Sequence, residues 1–167
     1  GWLVVADSGN DRLLLVDPQG GTAIALSSGG SAIGALRQPT ADGAMPDARI
    51  HIADPGNHRL VFAGIFAGPA WSRWGESIGD SPQGFHTPTA TCVDASGRIL
   101  VADPGAARLV RIDAADGSGW TELPLPAGGR MTRPNALAPG PGGGVLVSDL
   151  WNSRILLLGA DDELTVL

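Results

Sequence analysis

Four Asp–Arg pairs recur along the chain and are the first candidates for binding a charged ligand. In each pair the Arg follows the Asp by five residues, and successive Asp residues lie 46 to 49 residues apart. The pairs are Asp7 and Arg12, Asp54 and Arg59, Asp103 and Arg108, and Asp149 and Arg154. A ring of such charges could bind ligands. We favour a structural role, because an Asp at a strand end accepts turn N–H groups and can pair with a nearby Arg.

Polar side chains that precede a recurring proline form the second group of candidates. Each of these prolines lies fifteen residues before a repeated Asp. The residues just before Pro39, Pro88 and Pro134 differ between copies and are Arg37 and Gln38, His86 and Thr87, and Thr132 and Arg133. Guanidinium, imidazole and amide groups together could bind a carboxylate, a phosphate or an acidic peptide. The alternative is a solvated polar surface without a ligand.

Three histidines raise the question of a metal site, since catalytic zinc is often held by three side chains with one open position. His51 takes an apolar position of the repeat, His58 lies on a turn, and only His86 precedes a repeat proline. Asp42 replaces a branched apolar residue and could pair with Arg37 or bind a cation. The sequence therefore predicts no shared metal site, and it requires no cofactor. No catalytic residue is predicted, because no nucleophile and base can be paired by spacing.

Short strands and tight turns must position these side chains. In the third copy, 89–93 and 99–103 read as strands, a third strand carries the repeated Arg, and a more variable fourth follows. Gly9, Gly56 and Gly105 stand two residues after a repeated Asp, where we expect them to adopt positive φ. No segment shows a sustained 3.6-residue apolar period, so no substantial helix is predicted.

Four antiparallel strands in each unit of about 45 residues are typical of a β-propeller blade. The sequence predicts one all-β domain over 1–167, with approximate repeats 1–34, 35–83, 84–129 and 130–167. The proline-led strand of the first copy would fall before Gly1, so the first blade should lack its innermost strand. We expect these blades to belong to a larger ring of about six. Loops that enter innermost strands surround one end of the central channel, where ligands commonly bind.

Composition limits the classes of partner. The formal net charge is −6, and a basic surface of the kind that binds nucleic acid is not expected. The single cysteine, Cys92, excludes an internal disulfide and a cysteine-based zinc site. No apolar run approaches the roughly 20 residues that a membrane-spanning helix needs. Because the native start is not visible, a cytoplasmic and an extracytoplasmic location both stay open.

Several segments carry a family resemblance. The segments 7–13 (DSGNDRL) and 54–60 (DPGNHRL) resemble the NHL repeat, which is named for its Asn-His-Leu positions. The segment 84–88 resembles the family's approach to the innermost strand, and 116–123 resembles the outer strand of bacterial NHL proteins. The resemblance implies a β-propeller. It also implies a range of functions, which are binding of protein or RNA, extracellular sensing and, in one branch, a zinc-dependent lyase.

The sequence departs from this pattern in two copies. Ala106 and Ala107 stand where Asn and His are usual, and 150–153 reads Leu-Trp-Asn-Ser. Among the tryptophans, Trp71, Trp74 and Trp151 are candidates for a recognition surface, because aromatic side chains supply much of the contact energy at binding sites. Packing is the alternative for all of them, and it is the expected role of Trp120.

Two hypotheses follow. The first is a non-catalytic module that binds a protein, peptide or small molecule on the loop face at the central channel. Its ligand-binding candidates are Arg37, Gln38, His86, Arg133 and Asp42. The alternative is a metal-dependent propeller lyase or hydrolase with its site at the axis, which would use His86 and Asp42.

Overall fold

Four antiparallel sheets follow one another along the chain. The structure, a computed structural model, describes residues 3–26, 28–29, 34–44, 49–64, 71–75, 84–113, 118–123 and 131–167, without the side chains of 28 and 41–44. We call the sheets blade 1 to blade 4. Within each blade every strand pairs with the next along the chain. This order confirms the predicted all-β architecture of four blades.

The strands have the following bounds. Blade 1 contains β1 (Leu3–Asp7), β2 (Arg12–Asp17) and β3 (Thr22–Ala25), and a short parallel pair, β4 (Ser28–Gly29) with β5 (Ala35–Leu36), follows it. Blade 2 contains β6 (Thr40–Ala44), β7 (Arg49–Asp54), β8 (Arg59–Gly64) and β9 (Trp71–Trp74). Blade 3 contains β10 (Ala90–Val93), β11 (Ile99–Asp103), β12 (Arg108–Ile112) and β13 (Thr121–Glu122). Blade 4 contains β14 (Pro134–Pro139), β15 (Val145–Asp149), β16 (Arg154–Leu158) and β17 (Leu164–Val166).

The first strands of blades 2, 3 and 4 lie side by side and are the innermost strands. The Thr40 hydroxyl on β6 donates to the Thr89 carbonyl beside β10 at 2.7 Å. The Thr89 hydroxyl in turn donates to the Asn135 carbonyl on β14 at 3.2 Å. Blade 1 has three strands and begins with the one that corresponds to β7, β11 and β15. The prediction that the first blade lacks its innermost strand is therefore confirmed.

Each blade has two apolar faces, because successive side chains of a strand point to opposite sides. We call the face toward the following blade the forward face and the other the backward face. In blade 3 the forward face is formed by Leu100, Ala102 and Leu109, which pack against blade 4. Its backward face packs against blade 2 and is formed by Ile99, Val101, Val110 and Ile112. Fully burying one such aliphatic side chain contributes about 1.5–3 kcal/mol, so these junctions hold the stack together.

The turn between the second and third strands is the same in every blade. One 3₁₀ turn follows the repeated Asp, and the next residue adopts a left-handed conformation. These left-handed residues are Asp11, His58, Ala107 and Ser153, with φ of 54°, 56°, 54° and 50°. Asp and His tolerate this region better than most residues, which suits the first two copies. The expectation of positive φ at Gly9, Gly56 and Gly105 is wrong, because the left-handed residue lies two positions later.

Helices longer than these turns do not occur in the described part of the chain. No helix there is long and apolar enough to cross a membrane. The approximate repeat boundaries stay a prediction.

Candidate functional site

The repeated Asp and Arg form an ion pair at the same end of every blade. The Arg Nε atom donates to the Asp Oδ2 atom across the hairpin, where the two residues are cross-strand neighbours. The Nε–Oδ2 distances are 2.6 Å for Arg12–Asp7, 2.8 Å for Arg59–Asp54, 3.2 Å for Arg108–Asp103 and 3.0 Å for Arg154–Asp149. The pairs of all four blades therefore use the same atoms.

The other carboxylate oxygen of three of these Asp residues fixes the segment that precedes the innermost strand. We call this segment, residues 37–38, 86–87 and 132–133, the lead-in. The Arg37 N–H donates to Asp54 Oδ1 at 2.7 Å, and the Thr87 N–H donates to Asp103 Oδ1 at 2.8 Å. The Arg133 N–H donates to Asp149 Oδ1 at 3.0 Å. The repeated Asp thus positions the backbone that carries the candidate ligand-binding side chains.

Asp149 shows how these bonds balance burial. Burial alone would raise its pKa, but donation from Asn152, from the backbone N–H groups of Arg133 and Thr132, and from Arg154 lowers the pKa below the ordinary value. The carboxylate is therefore held ionised as part of the framework. The Arg108 guanidinium extends this framework, because its NH2 group donates to the Gly84 carbonyl at 2.6 Å.

The repeated glycines allow the lead-in to pass close to the turn. A Cβ atom at Gly56 would stand 2.5 Å from Cγ of Arg37. A Cβ atom at Gly105 would stand 2.5 Å from the Thr87 hydroxyl and 2.8 Å from Cβ of His86. The glycines are required by this close approach of side chains. Arg37 and His86 consequently lie over equivalent turns in neighbouring blades.

Blade 4 replaces this glycine with a tryptophan. Trp151 takes the position of Gly56 and Gly105, and its side chain is 69% exposed. The Arg133 guanidinium carbon lies 5.2 Å from the centre of the Trp151 ring, which is a cation–π distance. The tryptophan therefore holds the guanidinium of the lead-in. Sequence reasoning did not connect these two residues, although the break in the glycine pattern marked the position.

The left-handed turn residue joins neighbouring blades at the same end. Asp11 of blade 1 accepts a hydrogen bond from the Gln38 N–H of blade 2 at 2.7 Å. His58 Nδ1 of blade 2 lies at short hydrogen-bond distance from the His86 carbonyl of blade 3. Ala107 has no polar atom in its side chain for the corresponding bond to blade 4. The left-handed turn residue therefore joins blade 1 to blade 2 and blade 2 to blade 3.

The structure brings some of the predicted site residues together. Arg37 and Gln38, His86, and Arg133 occupy the lead-ins of blades 2, 3 and 4 in turn, at one end of the stack. Gln38 has φ of 54° and is exposed, as is Arg37. The side chain of Asp42 lies outside the described residues. Its backbone lies at a β-bulge in β6, where the register with β7 shifts.

His51 is buried between blades 2 and 3. Its Nδ1 lies 2.7 Å from the Thr91 hydroxyl of β10, and burial lowers its pKa to about 4. Its Nε2 has no hydrogen-bond partner in the described part of the chain. Along β7, His51 lies three residues before Asp54, the residue that holds the lead-in of its blade. Among the described side chains, no group of three His, Cys, Asp or Glu could hold a metal ion.

Of the tryptophans considered for recognition, Trp71 and Trp74 pack against apolar clusters. Trp74 contacts Phe85 and Trp120, with ring centroids 5.6 Å and 4.8 Å away. Trp120 belongs to the same cluster. Trp151 is the exposed one of the four, so the candidate site consists of the three lead-ins and Trp151.

Known structures support the fold. A virginiamycin B lyase from Staphylococcus aureus matches 100% of this chain and 52% of its own, with 11% identity and a TM-score of 0.77. A nidogen/laminin complex matches 97% and 57%, with 17% identity and a TM-score of 0.76. An auxiliary nutrient binding protein from Bacteroides thetaiotaomicron matches 93% and 44%, with 10% identity and a TM-score of 0.70. The chain spans about half the length of these structures.

At the level of sequence, no protein-family model and no curated protein matches the chain. These three solved structures are less than 25% identical to the chain and show the fold alone. The chain is therefore a β-propeller by its structure, whereas its assignment to NHL repeats stays a prediction from the motifs.

Proposed function

We propose that this chain is a non-catalytic binding module that captures an acidic ligand at the end of the stack where the lead-ins lie. One observation carries the proposal. The lead-ins of three successive blades carry Arg37 with Gln38, His86 and Arg133 at the same end of the stack, on backbone held by carboxylates. A ligand carboxylate or phosphate would find guanidinium and imidazole donors that need little reorganisation, which favours affinity.

Trp151 adds an apolar surface beside this charge. It is 69% exposed although it is the largest type of side chain, and it lies against Arg133. Exposed aromatic and Arg side chains dominate the energetics of many binding surfaces. We therefore expect the ligand to combine an acidic group with an apolar part, as an acidic peptide does.

Fluorescence anisotropy with a fluorescein-labelled, Glu-rich peptide that contains one Phe tests the proposal. The triple variant Arg37→Ala/His86→Ala/Arg133→Ala should weaken binding at least about tenfold, since each lost bond to a charged group costs about 1.5–3 kcal/mol. Inorganic phosphate should compete with the peptide. Binding should also weaken as salt concentration rises, because the charges are at the surface.

The control variant Arg49→Ala/Arg73→Ala removes the same number of guanidinium groups away from the lead-ins. Arg49 begins β7 at the end opposite Asp54, and Arg73 lies in the outer strand β9. This control should bind the peptide as the unmodified chain does. Equal affinities of the triple variant and the control would refute the proposed site, as would a complete lack of binding by the unmodified chain.

A further inference from the structure

The turn residue at the boundary between blades 3 and 4 lacks the polar side chain that its equivalents have at the two preceding boundaries. Asp11 of blade 1 accepts a hydrogen bond from the Gln38 N–H of blade 2. His58 of blade 2 meets the His86 carbonyl of blade 3 through Nδ1. Because a carbonyl oxygen only accepts, the His58 ring must donate through this atom. Ala107 takes the same position in blade 3, and its side chain has no polar atom.

The backbone around Ala107 has the same conformation as that around His58. The φ and ψ angles are 54° and 41° at Ala107, and 56° and 40° at His58. Both N–H groups donate to the carbonyl of the proline that begins the turn, at 3.1 Å and 3.2 Å. The Cβ atom of Ala107 therefore points as that of His58 does, toward the lead-in of the next blade.

The lead-in on the other side of this boundary also keeps its position. Thr132 corresponds to His86, since each lies 17 residues before the repeated Asp of its blade. The His86 N–H donates to Asp103 Oδ1 at 3.1 Å. The Thr132 N–H donates to Asp149 Oδ1 at 3.2 Å in the same way. The Thr132 carbonyl therefore takes the position at which the His86 carbonyl meets an imidazole.

The space between the Ala107 methyl group and the Thr132 carbonyl, which we call the notch, is open to a ligand. Ala107, Thr132 and Arg133 are all half-buried, and both of the blades that form the boundary are described. Arg133 directly follows Thr132, and its guanidinium carbon lies 5.2 Å from the centre of the Trp151 ring. The notch therefore adjoins the guanidinium that the proposed site offers to an acidic group.

We propose that the notch binds the imidazole of a histidine in the ligand, so that the acidic peptide of the proposed function carries this histidine close to its acidic group. The inference rests on that proposed function. The chain itself shows the kind of occupant, because His58 fills the equivalent position with an imidazole. The ligand imidazole would donate to the Thr132 carbonyl, while Arg133 binds the carboxylate. Ala107 thus determines specificity by leaving the notch empty of its own side chain.

Fluorescence anisotropy with two sets of fluorescein-labelled, Glu-rich peptides that contain one Phe tests this specificity. In the first set a single alanine takes each interior position in turn, and in the second set histidine replaces that alanine. Measurements at about pH 8 keep the free histidine neutral, so both sets carry the same charge. At one position or more, the histidine peptide should bind about fivefold to tenfold tighter than its alanine counterpart, through one added hydrogen bond.

The variant Ala107→His fills the notch from the chain's own side and should remove this preference for histidine. The variant should fold, because His58 adopts the same left-handed conformation and His tolerates it better than Ala. Its bond to the Thr132 carbonyl should also raise the melting temperature. The control Ser96→His, on an exposed turn at the opposite end of blade 3, should keep the preference.

The outcomes separate the notch from the site on which it depends. If neither set of peptides binds, the proposed function fails and the notch fails with it. If both sets bind with equal affinity, the proposed function stands and the notch alone is overturned. A preference for histidine that persists in Ala107→His, or an unchanged melting temperature of that variant, would also overturn the notch.

Discussion

Blade 1 and blade 2 carry the same Asp–Arg pair in different surroundings. The Nε–Oδ2 distance is 2.6 Å in blade 1 and 2.8 Å in blade 2. The side chains of Arg12 and Asp7 are 43% and 22% exposed, whereas those of Arg59 and Asp54 are 3% and 0% exposed. The local sequence thus suffices to form the ion pair. The lead-in, which crosses Asp54 and has no described counterpart in blade 1, determines whether water reaches it.

Removing the repeated carboxylate should give the largest difference in stability loss between the two blades. Asp54→Ala should lower the free energy of unfolding by about 3–5 kcal/mol, because it removes the carboxylate to which the buried Arg59 guanidinium donates. Asp7→Ala should cost about 0–1 kcal/mol, since the exposed pair is screened by water. Urea denaturation of both variants measures the two values. Similar losses at the two positions would contradict the role assigned to the lead-in.

Asp54 also accepts one hydrogen bond that has no equivalent at Asp7 in the described part of the chain. Asn57 donates to Asp54 at 2.8 Å, as Asn10 does to Asp7, but only Asp54 also accepts a lead-in N–H group. The double variant Asp54→Leu/Arg59→Met should recover part of the lost stability, because the buried guanidinium is removed together with its carboxylate. The unfilled bonds of the Arg37 N–H and Asn57 should prevent full recovery.

His51, which is buried on the forward face of blade 2, should make a smaller contribution to the free energy of unfolding, and this contribution should depend on pH. Unfolded His51 takes up a proton below about 6.5, whereas in the folded protein its pKa is about 4. The unfolded chain therefore holds more protons between these values, and the free energy of unfolding should fall as pH falls through them. The loss should reach about 3 kcal/mol below pH 4.

The variant His51→Leu tests this effect. Leucine is chosen because blade 3 has a leucine, Leu100, at the equivalent position. The variant loses the bond to Thr91, which lowers stability equally at every pH. The other titrating groups contribute equally to the free energy of unfolding of both proteins, so their contributions cancel when the variant is subtracted from the unmodified chain. This difference should shift in favour of the variant as pH falls from 6.5 to 4. A difference that stays constant with pH would show that His51 is protonated as readily in the folded protein.

The smallest expected change in stability comes from the position in blade 3 that lacks the Asn found in the other three blades. Asn10, Asn57 and Asn152 each donate to the repeated Asp of their blade, at 2.8 Å, 2.8 Å and 2.6 Å. Ala106 occupies this position in blade 3. Ala106→Asn should therefore raise the free energy of unfolding by about 1 kcal/mol, through a hydrogen bond to Asp103. Thermal denaturation measures the gain.

Two controls make this last result interpretable. Ala106→Leu has the same number and branching of side-chain heavy atoms as the Asn variant but no donor, and it should give no gain. Asn57→Ala should cost about as much as Ala106→Asn gains. An equal change in the Asn and Leu variants would assign the effect to packing instead of to the hydrogen bond.

The order of strands and the place of the lead-ins could be predicted because two anchors, the repeated Asp and the repeated Pro, keep register through the copies. The role of the glycines could not. Positive φ was expected at Gly56, but that glycine is needed for the close approach of Arg37, which lies 19 residues earlier. The pairing of Arg133 with Trp151 was missed for the same reason, since residues distant in sequence meet only when the lead-in folds over the turn.

By itself, the sequence determined the repeat, the four blades, the missing innermost strand and the Asp–Arg pairs, because these depend on contacts within one hairpin or on a pattern that recurs. The tertiary structure alone decided which of the equivalent side chains are buried. Leu109 is 1% exposed and Ile155 is 50% exposed although they occupy the same strand position. The physical reason is that a blade buries both of its faces only when it lies between two other blades. The residues of one blade do not determine where in the stack it lies.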